Sequence, residues 1–528
     1  MSIVAKALDA IHTLTPRMAW LGLIHPRRAA RRIVRSTQPT LRGAAFRRAV
    51  REQLKRPPSP LQPPASVFGF LGDVTHVEAN ARDAILTTIG GAVRLLPLAD
   101  DLVEVRIRPD GTFPEPFSYS VARPPVEWGP VEVSITDSAD AIELRTAALR
   151  IVVQKHPCRM SVYDADGSLL LQETDGFGRI SDSGWFTWRA AIREGEAFYG
   201  LGEKTSSLNH AGKRFELWNT DPATYDRGDD PIYMSVPFIV GLADGRAVGL
   251  FFDNTYRSWV DFGATDPGTL EYRAVDGEFR LYLIGGTPRD ILARFTELTG
   301  RMSLPPLWAL GFHQSRWSYY PQARVLEVAQ EFRKRRLPCD CIHLDIHYLD
   351  GYRIFTWDRK RFPDPKGMLA QLHEQGFKAI SMIDPGVKVD PGYAVCREGL
   401  DNGFFVRYPD GEPFVGPVWP GDCYFPDFSN PAVRRWWGDL YKPLLDDGVD
   451  AFWNDMNEVA LITSRLGMTI PDIVRHDFEG QGADHAQIHN VYGLLMARAS
   501  VEGLQRLYPD KRALILSRSG WAGLQRYA

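Results

Sequence analysis

Within ten residues near the end of the chain, Val449-Asp-Ala-Phe-Trp-Asn-Asp-Met-Asn-Glu458 passes from an apolar run into acids and amides. Phe452 and Trp453 have the character of a buried strand, and Asp455, Asn457 and Glu458 follow it directly. A carboxylate at the C-terminal end of a buried parallel strand is where a barrel enzyme carries its chemistry. Such a group can act as nucleophile, general acid or general base. His313, Asp345, Asp384 and Arg518 close other apolar runs in the same way. One Asp at a strand end is more often a cap or loop residue; repetition at several strand ends favours a shared site.

The elements that must hold these residues change in character along the chain. From about residue 65 to 303 the pattern is strand after strand. Val103–Arg108, Val131–Ile135 and Phe279–Leu283 alternate apolar and polar residues between short Gly, Pro and Asp turns, the pattern of an antiparallel β-sandwich. After Pro305-Pro306, strands and amphipathic helices alternate through 304–528. Strands are expected at Trp308–His313, Cys341–His347, Ala379–Ile383, Val449–Asn454 and Ala513–Ser517. Helices are expected at Ala323–Arg336, Lys366–Gln375, Pro431–Leu445 and Ala486–Leu507. Repeated βα units imply a parallel sheet with helical crossovers. The expected fold class is α/β plus all-β: a sandwich followed by an incomplete (β/α)8 TIM barrel of five strands. Residues 392–428, rich in Gly, Pro and aromatics, form an insertion expected to overhang the strand ends. No Gly-x-Gly-x-x-Gly follows a strand, which argues against a dinucleotide site.

Trp453-Asn-Asp-Met-Asn-Glu458 closely resembles the nucleophile signature of glycoside hydrolase family 31, the α-glucosidase family. Leu344-Asp-Ile-His-Tyr348 is similar to a second motif of that family, and Ser517-Arg-Ser-Gly-Trp521 to a third. The resemblance implies a galactose-mutarotase-like N-terminal sandwich and a retaining hydrolase releasing terminal α-linked glucose from oligosaccharides. It makes Asp455 the nucleophile and Glu458 a supporting residue that holds the strand-end loop. Asp221, Asp345, Ile346, Met382, Trp419, Trp453, Met456 and Arg518 become sugar contacts. His347 stands where the commonest form of the motif has a second Asp, and Val459 stands where many relatives have Pro, a change expected to loosen the loop. Retaining glycosidases use two carboxyl groups about 5–5.5 Å apart. The family's acid/base Asp belongs to a Trp-x-Gly-Asp segment that would follow Ala528, so the chain as written is expected to lack it. Met456 favours the α-glucosidase branch; α-xylosidase, transglucosidase and α-glucan lyase activities, or an inactive sugar-binding fragment, stay open. No metal or cofactor is implied.

Other features have plainer readings. His485 and His489 lie four apart near His476 and Asp477, but without an internal Glu or a third ligand the spacing points to a solvated or capping cluster rather than zinc. Trp436-Trp437 is expected to pack a helix against the barrel, and His313 is evenly balanced between site and core. The five cysteines are few and odd in number, and Cys339 and Cys341 read as buried thiols. Thirteen Lys and Arg against two acids make residues 1–60 strongly basic, read with the prolines that follow as a disordered leader over 1–64. Composition is that of an ordinary globular protein, and no apolar run is long enough to span a bilayer. The resemblance implies a small oligosaccharide ligand with neither nucleic-acid nor membrane partner. The few cysteines and the lack of a secretory-signal pattern lead to an expected cytoplasmic location.

Overall fold

The computed structural model describes residues 69–180, 184–462 and 469–528, so the expected leader lies outside the described residues. Two antiparallel sheets come first. The eight-stranded sheet runs in the order Ala197–Gly202, Ser235–Ala243, Arg246–Phe252, Phe279–Gly286, Leu102–Arg108, Gly91–Ala99, Ala84–Thr88, Val74–Ala79. The ten-stranded sheet includes Arg214–Leu217, Ser258–Phe262, Thr269–Ala274, Phe186–Ala191 and the long Leu169–Arg179, and continues through hairpins to Ser134–Asp137. Alternate residues from both sheets fill one core. Phe252 stacks on Tyr272 with ring centroids 4.0 Å apart, and Trp188 meets Phe252 at 5.6 Å.

The expected alternation in Val103–Arg108 does not translate into one wet face. Glu104 and Arg106 are buried with their apolar neighbours. The segment following the strand lies over that face: Arg106 donates to the Pro114 carbonyl at 2.9 Å, and Ser118 donates to Asp253 at 2.8 Å. The covered charges are paired. Arg280 reaches Glu104 and Asp253, each at 2.8 Å, and Arg106 reaches Glu278 at 2.8 Å. Removing one member of such a set strands the others in a dry interior. Arg280→Met is therefore expected to destabilise the sandwich by about 3–5 kcal/mol in urea unfolding.

The second part contains five parallel strands paired in sequence order: β1 (His313–Gln314), β2 (Cys341–Leu344), β3 (Lys378–Ile383), β4 (Ala451–Asn454) and β5 (Ile515–Ser517). Helices cross between them, and the result is a partial barrel. In the helix Gln322–Lys334, Val325, Val328 and Ala329 form the buried stripe. Asp364 caps Pro365–Glu374 by accepting from the Gly367 N–H at 2.9 Å. Gly438 and Gly503 let the helices Pro431–Asp439 and Tyr492–Leu507 meet backbone to backbone; a Cβ at Gly503 would lie 2.3 Å from the Gly438 Cα.

Several elements are shorter than expected, each for a local reason. Half of Trp308–His313 belongs to a 3-10 turn, Leu307–Leu310, which follows Pro305-Pro306, two residues with no N–H to give a sheet; only His313 and Gln314 join the sheet. Cys341–His347 stops at Leu344, because Asp345 accepts its neighbour's N–H and the chain turns into Ile346–Tyr348. Pro431–Leu445 breaks in two before Lys442–Asp447, where Pro443 cannot donate to the preceding turn. Ala486–Leu507 divides into His485–Ile488, a 3-10 turn and Tyr492–Leu507. Trp437 is buried against Phe428 and Phe355, as expected of a packing residue. Among the described residues β1 and β5 each pair on one side only, and Leu307 and Leu310 beside β1 are 83% and 72% exposed.

Candidate active site at the strand ends

Asp345, Asp384, Asp455 and Arg518 each follow the last residue or two of a barrel strand, so the ladder that fixes the strands also fixes them. The Asp455 N–H donates to the Ile383 carbonyl at 3.1 Å, and the Arg518 N–H to the Asn454 carbonyl at 3.0 Å. Directly after Asp455 the chain turns sharply at Met456, whose φ of 57° lies in the left-handed region. A non-glycine residue held there costs free energy and marks a backbone that its surroundings constrain. Asn457 supplies part of that constraint: it donates to Ser517 at 2.9 Å and accepts from the Ser519 N–H at 3.1 Å, tying β4 to β5. Val459, expected to loosen the loop, is fully buried in the core, and the Ala460 N–H closes the turn on the Met456 carbonyl at 3.1 Å.

Arg518 organises the acids. Its Nε and Nη2 donate to the two oxygens of buried Glu458 at 2.8 and 2.7 Å, a bidentate fork. Nη2 also lies 3.2 Å from the Met456 sulfur and 3.3 Å from Asp221, which arrives from the sandwich. Asp455 Oδ1 sits 3.1 Å from Nε as an ion pair. Because the Nε hydrogen goes to Glu458, Asp455 Oδ1 receives the charge of the guanidinium without accepting a hydrogen bond from it.

Burial pushes Asp345, Asp384, Asp455 and Glu458 upward. For Asp455, burial dominates, while Arg518 and the Met456 N–H pull the other way. Glu458 is raised by burial and held back by Arg518. Burial, reinforced by the charge of Asp455, drives Asp384 well above the carboxylate range. Asp345 is pushed up to about 7, chiefly by burial, against one hydrogen bond from the Ile346 N–H at 2.6 Å. The charge of Asp455 is among the causes that raise Asp384, and Arg518 stands 3.1 Å from Asp455, so Asp384 holds its proton more firmly than Asp455 does.

The remaining expected residues lie around this centre. Trp453 is on β4 two residues before Asp455, one layer deeper in the barrel. Ile346 and Met382 are almost fully buried, and the Met382 carbonyl accepts from Tyr348 at 2.8 Å. The insertion overhangs the strand ends: the Ile462 N–H, just past the Asp455 loop, donates to the Pro417 carbonyl at 2.8 Å. Trp419, partly exposed at its hairpin turn, faces Trp317 at 5.6 Å. Ser318 lies 2.9 Å from His347 Nδ1, and Tyr320 stacks on that ring at 4.8 Å. Trp317, Ser318 and Tyr320 of this wall left no signal in the sequence pattern, nor did Tyr233, whose ring lies 5.0 Å from the Arg518 guanidinium.

Two clusters settle outside the centre. His313 Nδ1 lies 3.2 Å from His343 Nε2, and with Cys341 they form a group of metal-ligand type whose ligating atoms lie within 4.8 Å. They face the barrel interior from β1 and β2, below the strand ends. The histidines read as a solvated cap are not solvated: His476, His485 and His489 are buried. Helical spacing puts His485 and His489 on one face but does not say whether that face is wet, and here it points at the sandwich.

Comparison with known proteins agrees with this architecture. Residues 302–528 match the profile described as the glycosyl hydrolases family 31 TIM-barrel domain, and residues 92–261 match the glycosyl hydrolase 31 N-terminal galactose mutarotase-like domain. Alpha-glucosidase 2 of Bacillus thermoamyloliquefaciens is 40% identical over 442 residues, 83% of this chain and 55% of that protein. An alpha-glucosidase of Saccharolobus solfataricus is 37% identical over 63% of this chain and 50% of its own length. Among solved structures, a Flavobacterium johnsoniae family 31 dextranase complexed with glucose superposes with a TM-score of 0.80 at 31% identity, covering 87% of this chain and 56% of that one. The chain thus spans about half the length of the curated relatives it matches. With both domain types in order and the strand-end constellation in place, the chain belongs to glycosyl hydrolase family 31.

Proposed function

We propose that this protein is a retaining glycoside hydrolase acting on terminal, non-reducing α-linked glucose in short oligosaccharides, with Asp455 as its nucleophile. The observation that carries the reading is the division of labour around Arg518: Glu458 takes its hydrogens, and Asp455 takes only its charge. A carboxylate oxygen that stands beside a buried cation without accepting its hydrogen keeps a lone pair free to attack carbon. Asp455 attacks the anomeric carbon, the bond to the leaving oxygen breaks and its electron pair departs with that oxygen. A β-glycosyl ester results. Water then attacks the same carbon, and the ester bond breaks with its electron pair returning to Asp455. The proton the water gives up balances, through solvent, the one the leaving oxygen takes up; the sugar is released with α configuration. Asp345 and Asp221 accept hydrogen bonds from sugar hydroxyls, while Trp419 and Trp453 supply apolar faces. Glu458 is committed to Arg518 and Asp384 is buried, so neither is assigned to protonating the leaving oxygen. The names of the relatives, and the glucose bound by the dextranase, support α-linked glucose as the ligand class. Five buried, unpaired thiols support a reducing compartment, and we place the protein in the cytoplasm.

The test is incubation of the native-length protein with 5-fluoro-α-D-glucosyl fluoride, whose fluoride leaves without a proton. Mass spectrometry should find a single 5-fluoroglucosyl adduct on the peptide containing Asp455. An adduct on another carboxylate, or none, sinks the assignment; glucose binding without labelling would make the protein a sugar-binding relative. The pH dependence of labelling has a definite sign. Asp455 must be ionised, so the rate rises with pH as Asp455 loses its proton while Asp384 keeps its own. Asp384→Asn replaces a neutral acid by a neutral amide, so the acid limb of labelling should stay close to that of the wild type; a limb moved to lower pH would show instead that Asp384 carries charge in the working site.

A further inference from the structure

Four buried side chains from three separate stretches form one continuous line to the sandwich. Asp427 lies 3.0 Å from His476 Nδ1; His476 Nε2 lies 3.0 Å from His485 Nδ1; His485 Nε2 lies 3.1 Å from His489 Nδ1. The line ends where His489 Nε2 meets the Asn219 carbonyl at 2.8 Å.

The direction of its hydrogen bonds is set by its two ends. A carbonyl oxygen only accepts, so His489 carries its proton on Nε2 and presents a lone pair at Nδ1. His485 must then donate from Nε2 and accept at Nδ1, and His476 must donate from Nε2. At the far end Asp427 also receives the Ser429 hydroxyl at 2.6 Å and the Asp477 N–H at 2.6 Å. Burial alone would raise this carboxyl, but these donors and His476 bring it below its ordinary value. Asp427 is therefore a carboxylate and His476 donates to it as well. Burial holds His485 and His489 neutral, as the parity requires.

What the line holds is the sandwich loop that reaches the candidate site. Trp218 stacks on His489 with centroids 3.7 Å apart, and Asn219 is clamped to Asn490 and to the Gly520 carbonyl. Two residues later Asp221 meets Arg518. We propose that Asp427, His476, His485 and His489 are positioning residues: their one-directional hydrogen-bond line sets the sandwich loop so that Asp221 stands against Arg518 in the sugar site. The proposal rests on the reading of that site given above, but its structural half can be tested without it.

The first measurement is the imidazole 15N–1H NMR spectrum of the native-length protein. His485 and His489 should both be neutral Nε2–H tautomers; an Nδ1–H tautomer or an imidazolium at either position overturns the line. The second uses His489→Phe, which keeps the stack on Trp218 but deletes the hydrogen bonds to His485, Asn219 and Thr469. Amide exchange in the 218–223 loop should quicken by about tenfold. Affinity for 1-deoxynojirimycin, measured by calorimetry, should fall by a similar factor, and His489→Gln should recover part of both. A folded His489→Phe protein with wild-type exchange in this loop refutes the positioning role. A wild-type protein that shows the tautomers and the loop protection yet binds no imino sugar refutes the functional reading instead.

Discussion

Asp455→Ala is expected to lower turnover of an activated α-glucoside by about 10⁴-fold or more, because the covalent step loses its attacking atom. The protein should not unfold as a result. Asp455 is a buried acid whose ionised form is disfavoured by its surroundings, and Arg518 keeps Glu458 and Asp221 as partners when it is gone. Thermal unfolding should therefore occur at or above the wild-type temperature, as is common when a site's strained charge is removed. The cavity left on the nucleophile's side offers a sharper readout. With α-glucosyl fluoride as substrate, added azide should attack the anomeric carbon as fluoride leaves and give β-glucosyl azide. Rescue of turnover with that inverted product places Asp455 on the face opposite the leaving group. A variant that retains turnover without azide would show that Asp455 is not the nucleophile.

Arg518→Met should do more damage to the molecule, although Arg518 makes no bond to carbon in the proposed reaction. The substitution removes the cation shared by Asp221, Asp455 and Glu458, with buried Asp345 and Asp384 close behind. Breaking a buried ion pair from one side costs about 3–5 kcal/mol. The sign with pH follows from the direction of the shifts. Asp345, Asp384, Asp455 and Glu458 already sit above their unfolded values, and losing Arg518 raises Asp455 and Glu458 further. Folding then requires proton uptake, whose cost grows as pH rises and shrinks as pH falls toward the unfolded carboxylate range. Unfolding in urea should find Arg518→Met closer to wild type at pH 5 than at pH 8. Labelling of Asp455 should drop by about 10³-fold at neutral pH, where the nucleophile would hold a proton. Arg518→Lys should restore some stability but little labelling, since an ammonium cannot reproduce the fork on Glu458. Equal stability of Arg518→Met at both pH values would contradict this electrostatic account.

The sequence was most legible where chemistry sits on regular elements. Asp345, Asp384, Asp455 and Arg518 could be found because each ends an apolar run, and βα alternation brings such ends to one face. Residues that act through loops left no comparable mark. The wall of Trp317, Ser318, Tyr320 and His347 depends on how the chain turns after a two-residue strand. The histidines at 476, 485 and 489 show how far spacing alone can mislead: four residues apart places two rings on one face, but only the docked sandwich decides that the face is dry. Glu104 and Arg106 misread for the same reason, their outer face being covered by a segment that carries no regular pattern.

The contact between Asp221 and Arg518 joins residues 297 positions apart in the chain. On a ribosome adding 5–20 residues per second, that separation amounts to roughly 15–60 s during which Asp221 is made but its partner is not. The sandwich can fold in that interval, since its strands pair among themselves. The strand-end site cannot, because its cation arrives with β5. Assembly of the acids is therefore a late event in the life of the nascent chain, and an early-folded sandwich must wait with its loop in water.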